Sequence, residues 1–312
     1  MYMIISKWKL KAVVQKGISF LPNSEKANYF FQKHITKGVS LNDEHFSNKI
    51  GHSKDHISFF KKHGQTGPNK QIIELGSGWY PIVPLMMYLS NSGKVISVDI
   101  QSWMTKETQI TTINKFIEWK EQGKLDSYIV DFDIEKWNKL LHISANPSLY
   151  TFETINKTIG LQLLLQDARH LQLEDKSIDL ICSNNTFEHI YVDVLSGILK
   201  EFSRVIKANG VMSHFIDLSD HFAHYDKSIN IYNFLKYSSK RWGIIDNSIQ
   251  PQNRLRFNDY RNIYKQLNIP ITEESTRPGN IDEVKELKIN KEFNHFSFEE
   301  LAISHGYIIS KM

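Results

Sequence analysis

Cysteine is almost absent: the 312-residue chain has one, Cys182, so no internal disulfide can form. That suits a reducing compartment, and a cytoplasmic location is expected. No apolar run approaches the roughly 18 residues that a membrane-spanning helix needs. The apolar block at residues 1–8 is too short for a secretory signal, so export is not expected. Charge of one sign is scarce as well, with 38 Lys and Arg against 34 Asp and Glu for a net +4. The lysines are scattered and no aromatics interleave with a basic stripe, which argues against a nucleic-acid partner. Repeats and low-complexity tracts are missing. What remains, at 41% hydrophobic residues, is a globular chain able to bury one large core or two modest ones.

The informative stretch is 71–99. An apolar run, Ile72 and Ile73, ends at Glu74 and a Gly76-Ser77-Gly78 turn; a helical segment follows, and a β-branched run ends in Asp99, 23 residues beyond Gly76. This is one βαβ unit with a nucleoside site. Glycine serves the turn because a residue without Cβ bends tightly and lets a ligand lie against its backbone, while Asp99 can grip both ribose hydroxyls. A dinucleotide fingerprint would continue to a third glycine, placing a helix N-terminus on the pyrophosphate. Here Trp79, Tyr80 and Pro81 follow instead, and a phosphate-free cofactor fits better.

Glu74, Gly76 and Gly78 with Asp99 resemble the opening motif of class I S-adenosylmethionine-dependent methyltransferases, of the small-molecule, type 11-like kind. Further motifs follow in order. Gln166, Asp167, Ala168 and Arg169 look like the family's adenine segment, and residues 177–190 like its fourth strand and following loop. Residues 199–211 read as its next helix, turn and fifth strand. The resemblance covers about residues 70–216 and implies an α/β, Rossmann-like, doubly wound sheet: seven strands, mainly parallel, the last reversed. It implies S-adenosylmethionine as cofactor. Gly76, Ser77 and Gly78 would lie against its methionine and ribose, Glu74 would order that loop or the ammonium, and Asp99 would take the ribose. Asp167 and the Ala168 backbone would read the adenine, and Asn184 and Asn185 would face the methyl group.

Three additions flank this core of 70–216. Residues 1–66 read as a helical N-terminal lid ahead of the methyltransferase domain at 67–312, with capping residues near Asp43 and Ser53 and apolar spacing near 3.6. Within it, residues 5–18 form a basic amphipathic segment that could rest on a membrane surface, although packing on the core is the plainer expectation. About 118–158 form a helical insertion, expected over the cofactor mouth and packed by Trp119, Phe132, Trp137 and Tyr150, because a structureless loop of that length is unusual. Residues 217–312 form a substrate-side extension, closing with short strands near 269–273 and 306–310.

Candidates for acceptor chemistry cluster beyond the fifth strand: His214, Asp217, Asp220, His221, His224 and Asp226 lie within 13 residues. A neutral imidazole oriented by a carboxylate can take a proton as the methyl group arrives. His214, His221 and His189 with Asp217 are therefore the catalytic candidates. His221, His224 and Asp217 also offer metal-ligand chemistry, but without regular finger spacing or cysteine partners no metal is expected. Tyr232, His224 and Arg254 are candidates for the acceptor pocket, Arg254 as a bidentate clamp; Tyr260 and Tyr264 read as core. The expected reaction is methyl transfer to O or N of a small polar or saccharide-like acceptor. Alternatives are a cofactor-binding regulator without catalysis, and an NAD- or nucleotide-sugar-linked oxidoreductase.

Overall fold

In the computed structural model, residues 6–22, 40–129, 132–248 and 250–312 are described. Residues 1–5 and 23–39 of the expected lid lie outside them, as does residue 5 of the segment considered for membrane contact. Seven strands, β1 (Gln71–Leu75), β2 (Lys94–Asp99), β3 (Leu161–Leu165), β4 (Ile178–Asn184), β5 (Ile206–Asp217), β6 (Glu273–Arg277) and β7 (His305–Lys311), make one sheet. Its order is β3-β2-β1-β4-β5-β7-β6. β1 to β5 run parallel, and β7 runs antiparallel between β5 and β6. The expected α/β sheet with a reversed last strand is thus present. The strand read near 269–273 starts later, because Pro270 has no N–H to give; the ladder begins with the Thr272 N–H donating to Ile309.

Side-chain alternation along the strands divides the core between two faces. Ile72, Val95, Leu180 and Val211 pack on one side; Ile73, Ile96, Ile181 and Met212 pack on the other. Five helices cover the first face: α1 (Asp43–His63), α2 (Ile82–Leu89), α3 (Lys106–Glu121), α4 (Ile134–Ala145) and α5 (Phe152–Ile159). Helix α6 (Val192–Val205) and helix α7 (Phe257–Gln266), whose Tyr260 and Tyr264 are fully buried, cover the second. Helix α1 starts where Asn42 accepts the His45 N–H, carries Asp43 and Glu44 in its first turn and Lys61 to His63 in its last, and buries Phe46, Ile50, Ile57 and Phe60. The insertion is helical, with Trp119, Trp137, Phe132 and Tyr150 all in the first core.

A third cluster lies under the C-terminal extension. There the helix Lys7–Ile18 lays Trp8 and Ala12 against Phe222, Tyr232 and Trp242. Among the described residues no helix is long and apolar enough to cross a membrane. Arg256 ties the extension to the sheet. It is fully buried, and its guanidinium donates to the carbonyls of Leu218 (2.7 Å), Leu301 (2.8 Å) and Ile303 (2.5 Å). Arg256→Met should therefore lower unfolding free energy by about 3 kcal/mol, since buried carbonyls would lose their donors; denaturant titration with an unchanged midpoint would contradict this role.

Candidate active site

A cleft of about 660 Å³ opens at the carboxyl ends of β1, β2 and β4. The strand order reverses between β1's two neighbours, and parallel α/β sheets open a crevice at such a point. All nine residues expected to hold the cofactor line it: Glu74, Gly76, Ser77, Gly78, Asp99, Asp167, Ala168, Asn184 and Asn185. So does His189.

The turn after β1 shows why glycine stands there. Gly76 has φ +79, and a Cβ on it would lie 2.5 Å from the Thr186 hydroxyl oxygen, which itself donates to the Leu75 carbonyl at 3.2 Å. Gly78 has φ +63 and faces open space where its Cβ would stand. The Ser77 hydroxyl and the Asn184 amide nitrogen are buried without a hydrogen-bond partner. Those orphaned groups, the bare turn and Asp99 at the end of β2 fit the ribose and amino-acid ends of a nucleoside sulfonium. Burial raises the Asp99 pKa, opposed by the backbone amides of Gln101, Gly78, Ile100 and Ser77. Asp167 is exposed and gripped by Arg169, whose Nη2 lies 2.5 Å from Oδ2, and its pKa falls to about 2. Trp79 and Trp103, with ring centroids 4.5 Å apart, wall one side but leave the cleft open.

Glu74 points to the first face, where burial raises its pKa against the opposing pull of Lys49 and of the Ser97 hydroxyl, which donates to it at 2.9 Å. Lys49 was not foreseen. With His45 it enters the cleft wall from α1, and its ammonium donates to the Asn184 carbonyl at 3.3 Å. The signal was present: His45, Lys49, His52 and His56 recur at spacings of four, three and four, a polar ridge beside the apolar stripe. His52 reaches the Tyr307 hydroxyl at 2.8 Å, and His56 lies 2.7 Å from the Ser213 hydroxyl and 3.0 Å from Asn184 Oδ1. Glu188 was also outside the expected set. It is only 2% exposed, neither of its oxygens makes a hydrogen bond of ordinary geometry, and burial raises its pKa well above the usual range.

Six expected acceptor-side residues do not line this cleft. His214 alternates to the second face, fully buried, stacked on Phe187 at 4.3 Å and bonded to Ser183 at 2.8 Å. Tyr232 is also buried; its hydroxyl donates to Ala302 and accepts from the Asn280 N–H, both at 2.9 Å. The Arg254 guanidinium donates to the carbonyls of Phe234 (3.2 Å) and Tyr237 (2.5 Å), so it braces the extension. Asp217, His221 and His224 gather beyond the tip of β5, behind His189, where the His189 and His221 rings are 4.8 Å apart. Among the described residues, the insertion contributes no lining residue between 118 and 158, since it packs against α2 and the first core.

Residues 138–213 match a family model described as a methyltransferase domain. No protein of curated function matches the sequence. Among solved structures, the chain is similar to geranyl diphosphate C-methyltransferase from Streptomyces coelicolor A3(2), at 14% identity and TM-score 0.46, covering 85% of this chain and 75% of that one. A putative sarcosine dimethylglycine methyltransferase from Galdieria sulphuraria gives 14% identity and TM-score 0.48, covering 93% and 98%. The PH0226 protein from Pyrococcus horikoshii OT3 gives 13% and 0.47, covering 90% and 97%.

Burial holds His56 neutral down to about 4 and His214 down to about 3, against an ordinary 6.5. Their folded pKa values lie below the unfolded ones, so the stability linked to them is full above pH 6.5 and is lost as pH falls towards 4. Glu74 and Glu188, raised by burial, act in the opposite sense, so the imidazoles are best read singly. Ring nitrogen NMR at pH 5.5 should show both neutral; a charged ring at either position would overturn the assignment.

Proposed function

We propose that this chain, which carries a methyltransferase domain on a seven-stranded sheet of the class I order, transfers a methyl group from S-adenosylmethionine to O or N of a small polar acceptor. The carrying observation is the convergence of nine residues from three separate motifs on one cleft at the strand-order reversal. When bound, the cofactor supplies a methyl carbon on a positively charged sulfur, so that displacement returns the electron pair to sulfur. The protein's part is to bind, orient, exclude water and take a proton.

Asp99 holds the ribose hydroxyls, Gly76 to Gly78 lie under the amino-acid end, and Asp167 with the Ala168 backbone reads the adenine. Asn184 and Asn185 stand at the tip of β4, facing the transferred group. Three carboxyl groups in the cleft wall, Glu74, Asp99 and Asp167, favour a cationic ligand over a pyrophosphate, which weighs against the dinucleotide reading. His189 is the group for the acceptor's proton. Its Nδ1 lies 2.7 Å from the Pro251 carbonyl, which can only accept, so Nδ1 carries the hydrogen and Nε2 keeps its lone pair. Burial lowers its pKa to about 4, so the ring is neutral at pH 7. As the new bond to carbon forms, the acceptor's proton passes to Nε2.

Calorimetry should show S-adenosylmethionine and its demethylated product binding at submillimolar concentration or tighter; binding of neither would end the reading. Asp99→Ala should weaken both by about 100-fold, the loss of two charge-assisted hydrogen bonds. His189→Gln should leave the cofactor dissociation constant unchanged and slow labelled-methyl transfer into a metabolite extract by about 100-fold; equal rates would remove the histidine from the chemistry.

A further inference from the structure

The side chains beyond the tip of β5 form a cluster that methyl transfer does not use. Asp217 is 4% exposed, and its carboxylate is oriented from behind: Oδ1 accepts the Ser219 N–H at 2.8 Å and faces His305 Nε2 at 3.4 Å. Oδ2 is thereby turned to two other imidazoles, His221 Nε2 at 3.3 Å and His224 Nε2 at 3.8 Å. The three ligating atoms all lie within 4.8 Å of one another. A tetrahedral ion with bonds of about 2.1 Å sets its ligand atoms about 3.4 Å apart, so a small closure of His224 completes the fit. That side chain is 59% exposed, and its Nε2 also lies 3.2 Å from the Ser219 hydroxyl.

A second observation points the same way. Glu188 is buried with neither oxygen in a hydrogen bond of ordinary geometry, and its carboxyl group lies within 4.8 Å of ligating nitrogens of His189 and His221. His221 Nε2 is likewise buried and makes no hydrogen bond of ordinary geometry. The Asp217 carboxylate, buried and turned to two imidazole nitrogens, is an anionic ligand whose charge a divalent cation would offset.

We propose that Asp217, His221 and His224 bind one divalent transition-metal ion of the zinc type, with Glu188 as the adjacent buried carboxyl group. Nitrogen and carboxylate ligands of this kind suit zinc and its borderline neighbours rather than calcium or magnesium. His305 and the Ser219 amide, which orient the Asp217 carboxylate from behind, play the part that outer partners play at such sites. Three protein ligands leave an open position, and the ion would pin the 217–226 loop against His189 at the acceptor end of the cleft.

The site is tested on the full chain, stripped with chelator and titrated with Co²⁺ alone, following visible absorption, with Zn²⁺ competition. Neither measurement needs cofactor or acceptor, so failure here and failure to bind S-adenosylmethionine are separate results. One ion per chain at micromolar or tighter affinity is expected, with His224→Gln weakening it by about 100-fold and His142→Gln leaving it unchanged. Asp217→Asn should behave like His224→Gln; should that variant fail to fold, the exposed His224 still decides. Absence of binding below about 100 μM, affinity unchanged in His224→Gln, or loss in Glu188→Gln with none in His224→Gln would overturn the proposal.

Discussion

The approach of the β1 turn to the β4 turn is the contact on which the site depends. Thr186 donates to the Leu75 carbonyl, and its side chain occupies the space that a Cβ at position 76 would need. The two strand tips therefore meet at the reversal of strand order, where a residue with a side chain at 76 would push them apart. Glu74, Asp99, Asn184 and Asn185 take their places from this junction: Glu74 is the last residue but one of β1, Asp99 ends β2, Asn184 ends β4 and Asn185 follows it. Asn185 has φ +51, in the left-handed region that asparagine tolerates better than most residues, so the chain can turn back towards Thr186.

Much of this was legible because the signals are local. Gly-x-Gly after an apolar run, an acidic residue ending the next strand and a third strand ending in Asn-Asn are each set by a short stretch of backbone. The residues that line the cleft could thus be expected from the order of these motifs and the family they resemble. The acceptor side follows another rule, since side chains in β5 alternate between faces. His214 and Asp217 are three residues apart, so they fall on opposite faces, and His214 joins Met212 and Ile216 in the second core. Grouping histidines and aspartates by proximity in sequence hides that division. Parity counted from Met212 separates them.

Arg254 and Tyr232 escaped for a different reason. The extension has long irregular segments, whose buried carbonyls need donors that neither helix nor sheet supplies. A guanidinium with five N–H groups and a phenol can serve such carbonyls, and nothing in the sequence distinguishes that task from gripping a ligand. Arg254 also has φ +57 and stacks on Trp242 and Phe293, features of a brace that only three dimensions reveal.

Lys49 shows how the N-terminal helix belongs to the chemistry of the sheet. Burial lowers the ammonium's pKa while Glu74 and Glu188 raise it, so one cation lies between two buried carboxyl groups. Burial of those carboxyl groups favours their protonated forms, and the ammonium opposes this for both. Charge in the cleft is therefore finely set. Helix α1 then does more than cover the first core: it carries the counter-charge that Glu74 and Glu188 share.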